Sequence, residues 1–410
     1  MEGIIVQKFG GTSLNTPQMR HHAVNHVLRE RLVGKKVVVV VSAMGRTGEP
    51  YATDTLLSWV REHTGDSVAI RELDLLMHCG EIISAVTFSG LLRQQGVPCT
   101  VLTGWQAGIV TDDHFSNAQI LSVRTSKILQ LLQLGEVVIV TGFQGVTATG
   151  EVTTLGRGGS DTSAAALGAA LRAERVDIFT DVEGLMTADP KIVEDARPLS
   201  VVGYSEVANL AYQGARVIHP RAVEVAMQSG VPMRIRSTSS HSPGTLVTQW
   251  SPDGTERSVV DRPVTGITYL PHLTQLRVTA RGSDFDLQLK VFKAMAENEI
   301  SVDFINVYPA SVVFTVFDEV AQKAVDSLRK VGLEVVAMPH CAKVSAVGSG
   351  MAGMPGVMAS IVEALVQEEI SILQSSDSHA TIWVLVRDED MHKAIRALHR
   401  KFALHRTPCP

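Results

Sequence analysis

Short runs of Val and Ile alternate with helix-like segments from residue 4 to about residue 235. The purest run, Val37 to Val41, has no polar residue at alternating positions, so both of its faces must be buried. It is far shorter than the roughly 20 apolar residues that cross a bilayer, so it predicts a buried strand. The alternation predicts a mainly parallel sheet with helices on both faces. Six candidate strands carry this pattern: Ile4 to Lys8, Lys36 to Ser42, Pro98 to Leu102, Glu136 to Thr141, Val176 to Thr180 and Pro232 to Arg236.

Composition is that of a globular protein with more than one domain. The chain of 410 residues is longer than a domain with a single hydrophobic core usually is, and 45% of its residues are hydrophobic. The net charge of −5 gives no basic footprint for nucleic acid. The first candidate strand starts close to Met1, and four cysteines are widely spaced: Cys79, Cys99, Cys341 and Cys409. We therefore expect a reduced, cytoplasmic protein with no signal peptide, disulfide framework, nucleic-acid partner or membrane partner.

A lysine and two glycines close the first candidate strand. The string reads Lys8-Phe9-Gly10-Gly11-Thr12-Ser13 and precedes a helix-like segment. Two glycines let the backbone approach an anion, the following N–H groups point at it, and the lysine adds a mobile cation. The lysine precedes the glycines, whereas in a Walker A loop it follows them. A tight turn would explain a Gly-Gly pair alone, but the whole string favours a phosphate site.

The same string resembles the signature of the aspartokinases, within the amino-acid kinase family. The likeness covers essentially the whole chain and includes Ser42-Ala43-Met44-Gly45, Cys79-Gly80-Glu81, Thr154 to Asp161 and Phe179 to Pro190. The later motifs look most like the diaminopimelate-responsive aspartokinases of bacilli. The resemblance implies a three-layer αβα amino-acid kinase fold. It also implies phosphorylation of L-aspartate to 4-phospho-L-aspartate with ATP and Mg²⁺, the first step toward lysine, diaminopimelate, threonine and methionine.

An internal repeat fills the last third of the chain. A set of residues recurs unchanged at a constant offset of 70 positions. For example, Glu299-Ile300-Ser301 recurs as Glu369-Ile370-Ser371. Each copy predicts strand, helix, strand, turn, strand and helix, which resembles a ferredoxin-like βαββαβ ACT domain, a module that commonly binds amino acids. Repeated units could instead only extend the scaffold or mediate dimers. Beside a kinase-like half, regulation is the better interpretation.

These patterns predict four parts of the chain. An amino-acid kinase catalytic domain occupies residues 1–245, and a linker rich in Ser, Pro, Gly and charged residues occupies 246–263. Two ACT domains follow at residues 264–341 and 342–405. ACT units of this family usually pair between subunits, so the resemblance implies a homodimer or a higher homo-oligomer.

The resemblance also assigns the catalytic and substrate residues. Lys8 is the cation at the transferring phosphoryl group, and Asp161 orients it. Arg157 would hold the substrate α-carboxylate with a bidentate fork, and Glu81 would bind the α-amino group. Other contacts around aspartate are expected from Ser42, Thr47, Phe143 and Ser160. Simpler roles remain open: Ser160 or Asp161 can cap the following helix, and Glu81 can be a helix-surface acid.

Nucleotide contacts are expected from the glycine turn and from a stretch after the fifth candidate strand. The candidates are Lys8, Phe9, Gly10, Gly11, Ser13, Thr180, Asp181, Met186, Asp189, Lys191 and Arg216. Met186 stands where many relatives have Tyr, and Arg216 where they commonly have Lys. A thioether can still pack on adenine, and both cations suit a triphosphate. No direct metal site of the protein is expected, since the 14 histidines show no ligand spacing.

The two ACT copies differ just before their first helix. The second copy has a Pro-Gly turn whose backbone N–H groups suit a carboxylate, where the first has Asp284, Phe285 and Asp286. We expect the effector, diaminopimelate or lysine, at a dimer interface. Its contacts would come from Met354, Pro355, Gly356 and Val357 and from the strand around Ile372, Leu373 and Gln374.

Two other functions stay open on the sequence alone. A related kinase could act on a glutamate-type acid, which an assay of aspartate-dependent ADP release would distinguish. A non-catalytic amino-acid sensor could keep the fold, although it would need no phosphoryl-transfer cation such as Lys8.

Overall fold

The computed structural model describes residues 3–215, 217–249, 263–279, 286–351 and 354–406. It divides into two compact units, which are described separately. The first comprises Met1–Leu185, Pro198–Tyr212 and Arg216–Thr255. The second comprises Met186–Arg197, Gln213–Ala215 and Glu256–Pro410.

The first unit alternates strands and helices in the predicted way. Its elements are β1 (Ile4–Phe9), α1 (Gly11–Leu14), α2 (Pro17–Leu32), β2 (Lys36–Val41), α3 (Thr53–Thr64), α4 (Ile70–Gln94), β3 (Cys99–Leu102), β4 (Ile109–Thr111), β5 (Ile120–Val123), α5 (Ser126–Gln133), β6 (Val137–Thr141), β7 (Gln144–Thr147), β8 (Val152–Thr154), α6 (Gly159–Ala170), β9 (Arg175–Thr180), β10 (Val201–Gly203), α7 (Tyr204–Tyr212), α8 (Pro220–Ser229), β11 (Met233–Ser237) and β12 (Thr245–Thr248). All six candidate strands are confirmed, with ends that differ by one residue at most.

An eight-stranded sheet forms the centre of this unit, in the order β10-β12-β11-β9-β1-β2-β6-β3. Adjacent strands of this sheet are parallel, except that β12 runs antiparallel to β11. A smaller sheet has the order β5-β4-β7-β8. The even positions of the valine run 37–41 pack in a core with α6 and α8, and the odd positions in a core with α2 and α4. The αβα architecture expected from the sequence is therefore confirmed.

Small residues bring α6 close to the sheet. This helix is rich in Ala and is buried over almost its whole length. A Cβ atom added at Gly168 would lie 2.3 Å from the Val176 side chain of β9. The close approach matters because α6 begins with Ser160 and Asp161, two of the candidate site residues.

Helix α4 is long and apolar enough to cross a membrane by length and composition. In the structure, Ala85, Phe88 and Leu92 of this helix instead pack in the core with the odd positions of the valine run. The same helix buries two acids, Asp74 and Glu81, which lie seven residues apart and so on one face. The structure thus accounts for its apolar character as core packing.

The second unit contains the repeat. Its elements are β13 (Gly266–Thr279), α9 (Leu287–Glu297), β14 (Asp303–Tyr308), β15 (Ser311–Phe317), α10 (Asp318–Lys330), β16 (Glu334–Val347), α11 (Val357–Gln367), β17 (Gln374–Asp377), β18 (Thr381–Arg387), a 3₁₀ turn (Asp388–Asp390) and α12 (Met391–Lys401). The strands form one six-stranded sheet in the order β14-β15-β13-β16-β18-β17.

Two long central strands are shared between the copies of the repeat. The end of β13, residues 273–279, pairs with β15 of the first copy, whereas its beginning, residues 266–270, pairs with 343–347 of β16. Ile267 packs in the core formed by α11 and α12 of the second copy. The predicted start of the first ACT domain at residue 264 therefore needs correction, because residues 266–270 complete the second copy. The irregular junctions carry matching Pro-His pairs, and both histidines, His272 and His340, have positive φ angles of 60° and 57°.

The other predicted boundaries also differ from the structure. β12 extends the first sheet beyond residue 245, and residues 250–262 of the predicted linker lie outside the described residues. The segment Met186–Arg197 belongs to the second unit. Its apolar residues Ala188, Ile192 and Val193 are buried in the core around α11 and α12, which explains that grouping.

Candidate active site

An ion pair lies at the carboxyl end of β1. Lys8 Nζ is 2.7 Å from Asp161 Oδ1, and the two side chains are only 12% and 11% exposed. The other carboxylate oxygen of Asp161 accepts a hydrogen bond from the His219 backbone N–H at 3.4 Å. Because β1 lies in the middle of the sheet and α6 packs closely on it, Asp161 can hold the ammonium in place. The structure thus brings together the two residues expected to be catalytic.

The two glycines after β1 lie in close contacts, and the contact at Gly11 leaves no space for a Cβ atom. A Cβ atom at Gly10 would lie 3.3 Å from Lys8 Nζ, and one at Gly11 would lie 2.7 Å from the Ala43 carbonyl oxygen. The Gly11 carbonyl also accepts a hydrogen bond from the Gly45 N–H at 3.2 Å. The glycine turn and the turn that follows β2 therefore form one backbone surface beside the Lys8 ammonium.

Two of the residues expected to contact the nucleotide in this turn have buried side chains. Phe9 is fully buried and stacks on Phe179, with ring centroids 4.7 Å apart. Ser13 is also fully buried; its hydroxyl accepts from Thr238 Oγ1 at 2.7 Å and donates to the Phe179 carbonyl at 3.3 Å. Only the backbone of these residues remains for a nucleotide. The string marks the position of the turn correctly, but the side chains of Phe9 and Ser13 belong to the core.

Glu81 reaches the same region from α4. One carboxylate oxygen accepts the Ala43 N–H at 3.1 Å, whereas Oε2 is buried and has no hydrogen-bond partner among the described residues. The helix comes this close because Gly80 faces the turn: a Cβ atom there would lie 2.7 Å from the Ala43 Cβ. Burial raises the pKa of Glu81 to about 8. Glu81 is therefore not a helix-surface acid but a buried acid with one oxygen unused.

Arg157 lies in a glycine-rich loop before α6. The neighbouring Gly158 has a φ of 68°, and a Cβ atom at Gly159 would lie 2.6 Å from the Phe143 ring. Phe143 itself has a positive φ of 70°, and its N–H donates to Ser163 Oγ at 3.0 Å. The Arg157 side chain is exposed and forms no hydrogen bond or ion pair with the residues that the structure describes. Its guanidinium is available for a ligand.

The remaining candidate contacts around aspartate occupy different environments. Ser42 follows β2, and its N–H donates to the Phe9 carbonyl at 3.1 Å. Ser160 is 8% exposed and packs against Gly142, where a Cβ atom would lie 2.8 Å from its hydroxyl. Thr47 is exposed, and its hydroxyl donates to Asp54 at 3.0 Å. Ser42 and Ser160 thus face the ends of neighbouring strands, while Thr47 lies on a surface loop.

The candidate nucleotide residues fall into both units. Thr180 and Asp181 follow β9 in the first unit, where Asp181 forms an exposed ion pair with Arg46 at 2.9 Å. Met186, Asp189 and Lys191 belong to the second unit. There Asp189 accepts the Lys191 N–H at 2.9 Å and the Tyr269 hydroxyl at 3.1 Å, while the Lys191 side chain is exposed. Arg216 lies outside the described residues.

Comparison with known proteins identifies the family. Residues 3–237 match the Amino acid kinase family, and residues 336–400 match the ACT domain. The chain is 52% identical to Aspartokinase 1 of Bacillus subtilis (strain 168) over 403 residues, which covers 98% of this chain and 99% of that protein. The chain belongs to the aspartokinase family.

Two solved structures of aspartokinase III from E. coli share the fold. The complex with aspartate and ADP (R-state) has a TM-score of 0.79 and 25% identity, and the comparison covers 97% of this chain and 99% of that chain. The complex with lysine and aspartate (T-state) has a TM-score of 0.77 and 26% identity, again with 97% and 99% covered. The full-length match favours a kinase over the non-catalytic sensor.

One residue that supports this aspartokinase site was missed by the sequence reasoning. Asp74 is fully buried, and its carboxylate accepts hydrogen bonds from the backbone N–H and the hydroxyl of Ser116 and of Thr154, at 2.8 to 3.2 Å. Thr154 lies three residues before Arg157, so Asp74 fixes the start of the loop that carries the guanidinium. The spacing of Asp74 and Glu81 on one apolar helix was the available signal.

The predicted effector residues of the aspartokinase chain form two groups in the second unit. Pro355 and Gly356 are exposed at the start of α11, and Gly356 has a φ of 92° with no side-chain cap in the described part of the chain. Gln374 differs from the prediction: it is 8% exposed, donates to Phe304 and Asn306 and accepts from Gln275 at 2.8 Å. Its amide links the two copies of the repeat and is not free for a ligand. Asp284 and Phe285 of the first copy lie outside the described residues.

Proposed function

We propose that the chain transfers a phosphoryl group from ATP to the side-chain carboxylate of L-aspartate, which gives 4-phospho-L-aspartate. The observation that carries this proposal is the Lys8–Asp161 ion pair beside a glycine turn in which Gly11 has no room for a Cβ atom. The pair fixes the position of the Lys8 ammonium, and the turn lets an anion come close to backbone N–H groups. Both suit a polyanion whose charge shifts during transfer.

The aspartate end of the site has complementary charges. An α-carboxylate would pair with the exposed, unengaged Arg157, and an α-ammonium would pair with the free oxygen of Glu81. Ser42, Phe143 and Ser160 border the same strand ends and would position the substrate between these two groups. The side-chain carboxylate is then directed toward Lys8. A cation at one end and an acid that ionises on binding at the other suit the two charged groups of an amino acid.

The chemistry needs no general base. The carboxylate of aspartate is already ionised at neutral pH and is the nucleophile. The task of the protein is to bring two polyanions together in line and to balance their charge. Lys8 supplies that charge at the transferring group, and Asp161 keeps its ammonium in one position. Negative charge that develops toward the leaving oxygen would be stabilised by the same ammonium and by the backbone N–H groups of the glycine turn.

Mg²⁺ would neutralise phosphate charge when it is bound with the nucleotide. The carboxylate of Asp161 fits this role only indirectly, because it is engaged by Lys8 and by the His219 N–H. Oxygen atoms of the nucleotide phosphates would therefore supply most of the ligands of the ion.

Regulation would reside in the second unit. We infer that an end-product amino acid, diaminopimelate or lysine, binds the Pro355–Gly356 turn of a homodimer or higher homo-oligomer and lowers activity. A structure of the E. coli aspartokinase III is described in complex with lysine and aspartate as a T-state. Allostery requires that the effector bind the less active state more tightly; a coupling of about 1 to 3 kcal/mol changes affinity about 5- to 150-fold. The enzyme would then act at the start of lysine, threonine and methionine synthesis in the cytoplasm.

One assay tests the activity and its regulation together. ADP release is measured with the purified protein, ATP and Mg²⁺, with L-aspartate or L-glutamate as the acceptor. Release that depends on aspartate supports the proposal, and release with glutamate alone would replace it by the glutamate-type kinase. Lysine, threonine and diaminopimelate are then added in turn, and the one that raises the aspartate requirement identifies the effector.

A further inference from the structure

Three potential metal ligands meet in the second unit, far along the sequence from the glycine turn. They are Asp195 of the segment Met186–Arg197, His399 in α12, and His405 after that helix; one ligand atom of each lies within 4.8 Å of the others. Asp195 Oδ1 is 3.6 Å from His399 Nδ1, and Asp195 Oδ2 is 3.9 Å from His405 Nδ1. The expectation that the histidines form no ligand set came from their spacing in sequence, which does not show this arrangement.

A turn at the end of α12 brings the two histidines together. The Leu404 N–H donates to the His399 carbonyl at 3.1 Å, and the Ala403 N–H donates to the Arg400 carbonyl at 3.0 Å. This pair of hydrogen bonds is typical of a Schellman motif. Ala403 has the required positive φ of 50°. The chain therefore reverses after the helix and returns His405 to the side of His399, six residues earlier.

His399 is the buried and oriented member of this cluster. Its side chain is fully buried, and its Nδ1 atom has no hydrogen-bond partner in the described part of the chain. Its Nε2 atom lies 2.9 Å from Thr187 Oγ1, which also accepts the Arg197 N–H at 3.1 Å. When Nε2 carries the proton and donates to Thr187, the lone pair of Nδ1 points toward Asp195 and His405. A ligating histidine is commonly oriented in this way by a hydrogen bond from its other nitrogen.

The segment that carries Asp195 is linked on one side of that residue to the turn after α12 and on the other side to α12 itself. Arg197 Nε donates to the Leu404 carbonyl at 2.7 Å, and Arg396 Nη1 donates to the Ile192 carbonyl at 3.4 Å. Asp195 lies between these two links. The carboxylate is thus held near the histidines by contacts that do not use its own oxygens, so those oxygens remain available.

We propose that Asp195, His399 and His405 form a binding site for a divalent transition-metal ion of the zinc class. Two imidazoles and one carboxylate suit Zn²⁺ or Co²⁺, whereas Mg²⁺ prefers oxygen ligands and water. Metal–ligand bonds of about 2.0 to 2.1 Å place tetrahedral ligands about 3.3 Å apart, close to the observed 3.6 and 3.9 Å. The side chains of Asp195 and His405 are 56% and 34% exposed, so they can move inward and leave the fourth position to water.

A nearby cation is engaged outside the cluster. Arg197 is the nearby cation, and its Nε is directed to the Leu404 carbonyl. A bound ion would fasten Met186–Arg197, the segment that contains Asp189 and Lys191, to the end of the second ACT copy. It would be independent of the Mg²⁺ that accompanies the nucleotide.

Direct metal binding by the full-length protein tests the proposal. Metal-free protein without nucleotide is titrated with Co²⁺ and followed by visible absorption, and Zn²⁺ is measured by equilibrium dialysis. We expect one saturable site per chain with tetrahedral Co²⁺ bands that Zn²⁺ displaces and Mg²⁺ does not. His405→Gln and Asp195→Asn should each weaken that site by at least about tenfold, since each removes one of three ligands.

Both substituted side chains are exposed, so the variants should fold, and far-ultraviolet circular dichroism checks that they do. His392→Gln is the matched control, because His392 is exposed on the same helix and lies outside the cluster. Zn²⁺ should also raise the Tm of the wild type and of His392→Gln but not of His405→Gln. The proposal is overturned if the wild type has no saturable site for either ion, or if His405→Gln and Asp195→Asn bind as the wild type does.

Discussion

Glu81 gives the sharpest test of the substrate site, because its environment predicts a proton movement. Its pKa is raised to about 8 by burial, and Oε2 has no hydrogen-bond partner among the described residues. At pH 7 the empty site therefore holds Glu81 largely protonated. An arriving α-ammonium favours the carboxylate and lowers the pKa, so the proton must leave. Aspartate binding should release most of a proton per chain at pH 7 and progressively less as the pH rises above about 8.

The sign of the pH dependence follows from the same difference. The complex binds fewer protons than the free enzyme, so affinity for aspartate rises with pH. It should rise close to tenfold per pH unit well below pH 8 and level off above it. Glu81→Gln cannot lose a proton, so its affinity should be nearly independent of pH in this range. Loss of the charged partner should also weaken binding about 10- to 100-fold.

Titration calorimetry in buffers of different ionisation enthalpy measures the proton count. Phosphate and Tris at equal pH give the number released from the difference in apparent binding enthalpy. Glu72→Gln is the matched control, since Glu72 is exposed in the first turn of the same helix. The reasoning fails if wild-type protein releases no proton at pH 7, or if Glu81→Gln releases as many as the wild type.

Three further substitutions test separate parts of the proposal. Lys8→Ala should lower kcat about 100- to 1,000-fold with little change in KM for aspartate, because its charge is needed most in the transition state; steady-state kinetics that show an unchanged kcat would contradict this. Arg157→Lys should raise KM for aspartate about tenfold or more, since an ammonium cannot make a bidentate contact, and an unchanged KM would remove Arg157 from the substrate site. Gly356→Asp should raise the inhibitory concentration of the effector at least about tenfold above that of Gly356→Ala, which shares the strain at a φ of 92° but adds no charge. Equal inhibition of those two variants would move the effector site elsewhere.

The sequence predicts six of the eight strands of the first sheet, because each of those six has a strong local signal. A run such as Val37 to Val41 can only be a strand buried on both faces, and the structure divides its residues between two cores. Register then follows from parallel pairing. Phe9 lies opposite Val41 and Phe179, so Lys8, Ser42 and Thr180 collect at one edge, as expected.

Other features depend on contacts that no local pattern contains. In the sequence, Glu81 has the pattern of an ordinary acid on a helix surface. In the structure it is buried, because Gly80 lets α4 pack against the turn after β2. In the sequence, Ser13 resembles a phosphate ligand. In the structure its hydroxyl is hydrogen-bonded to Thr238, which lies more than 200 residues later in the chain. The Asp195 cluster requires a helix-ending turn and a segment from another part of the chain. In each case tertiary packing decides a role that the residue type leaves open.

The sharing of β13 and β16 has a consequence for the order in which the chain can fold. Residues 266–270 are synthesised before the whole first ACT copy, but their partners at 343–347 follow it. The second module therefore cannot close its sheet until the first has been made, and long-range closure of this kind is slow. A fragment that starts at residue 336, where the ACT match begins, would leave the edge at 343–347 open to pairing with other chains. A fragment that starts ahead of Gly266 would carry its own covering strand.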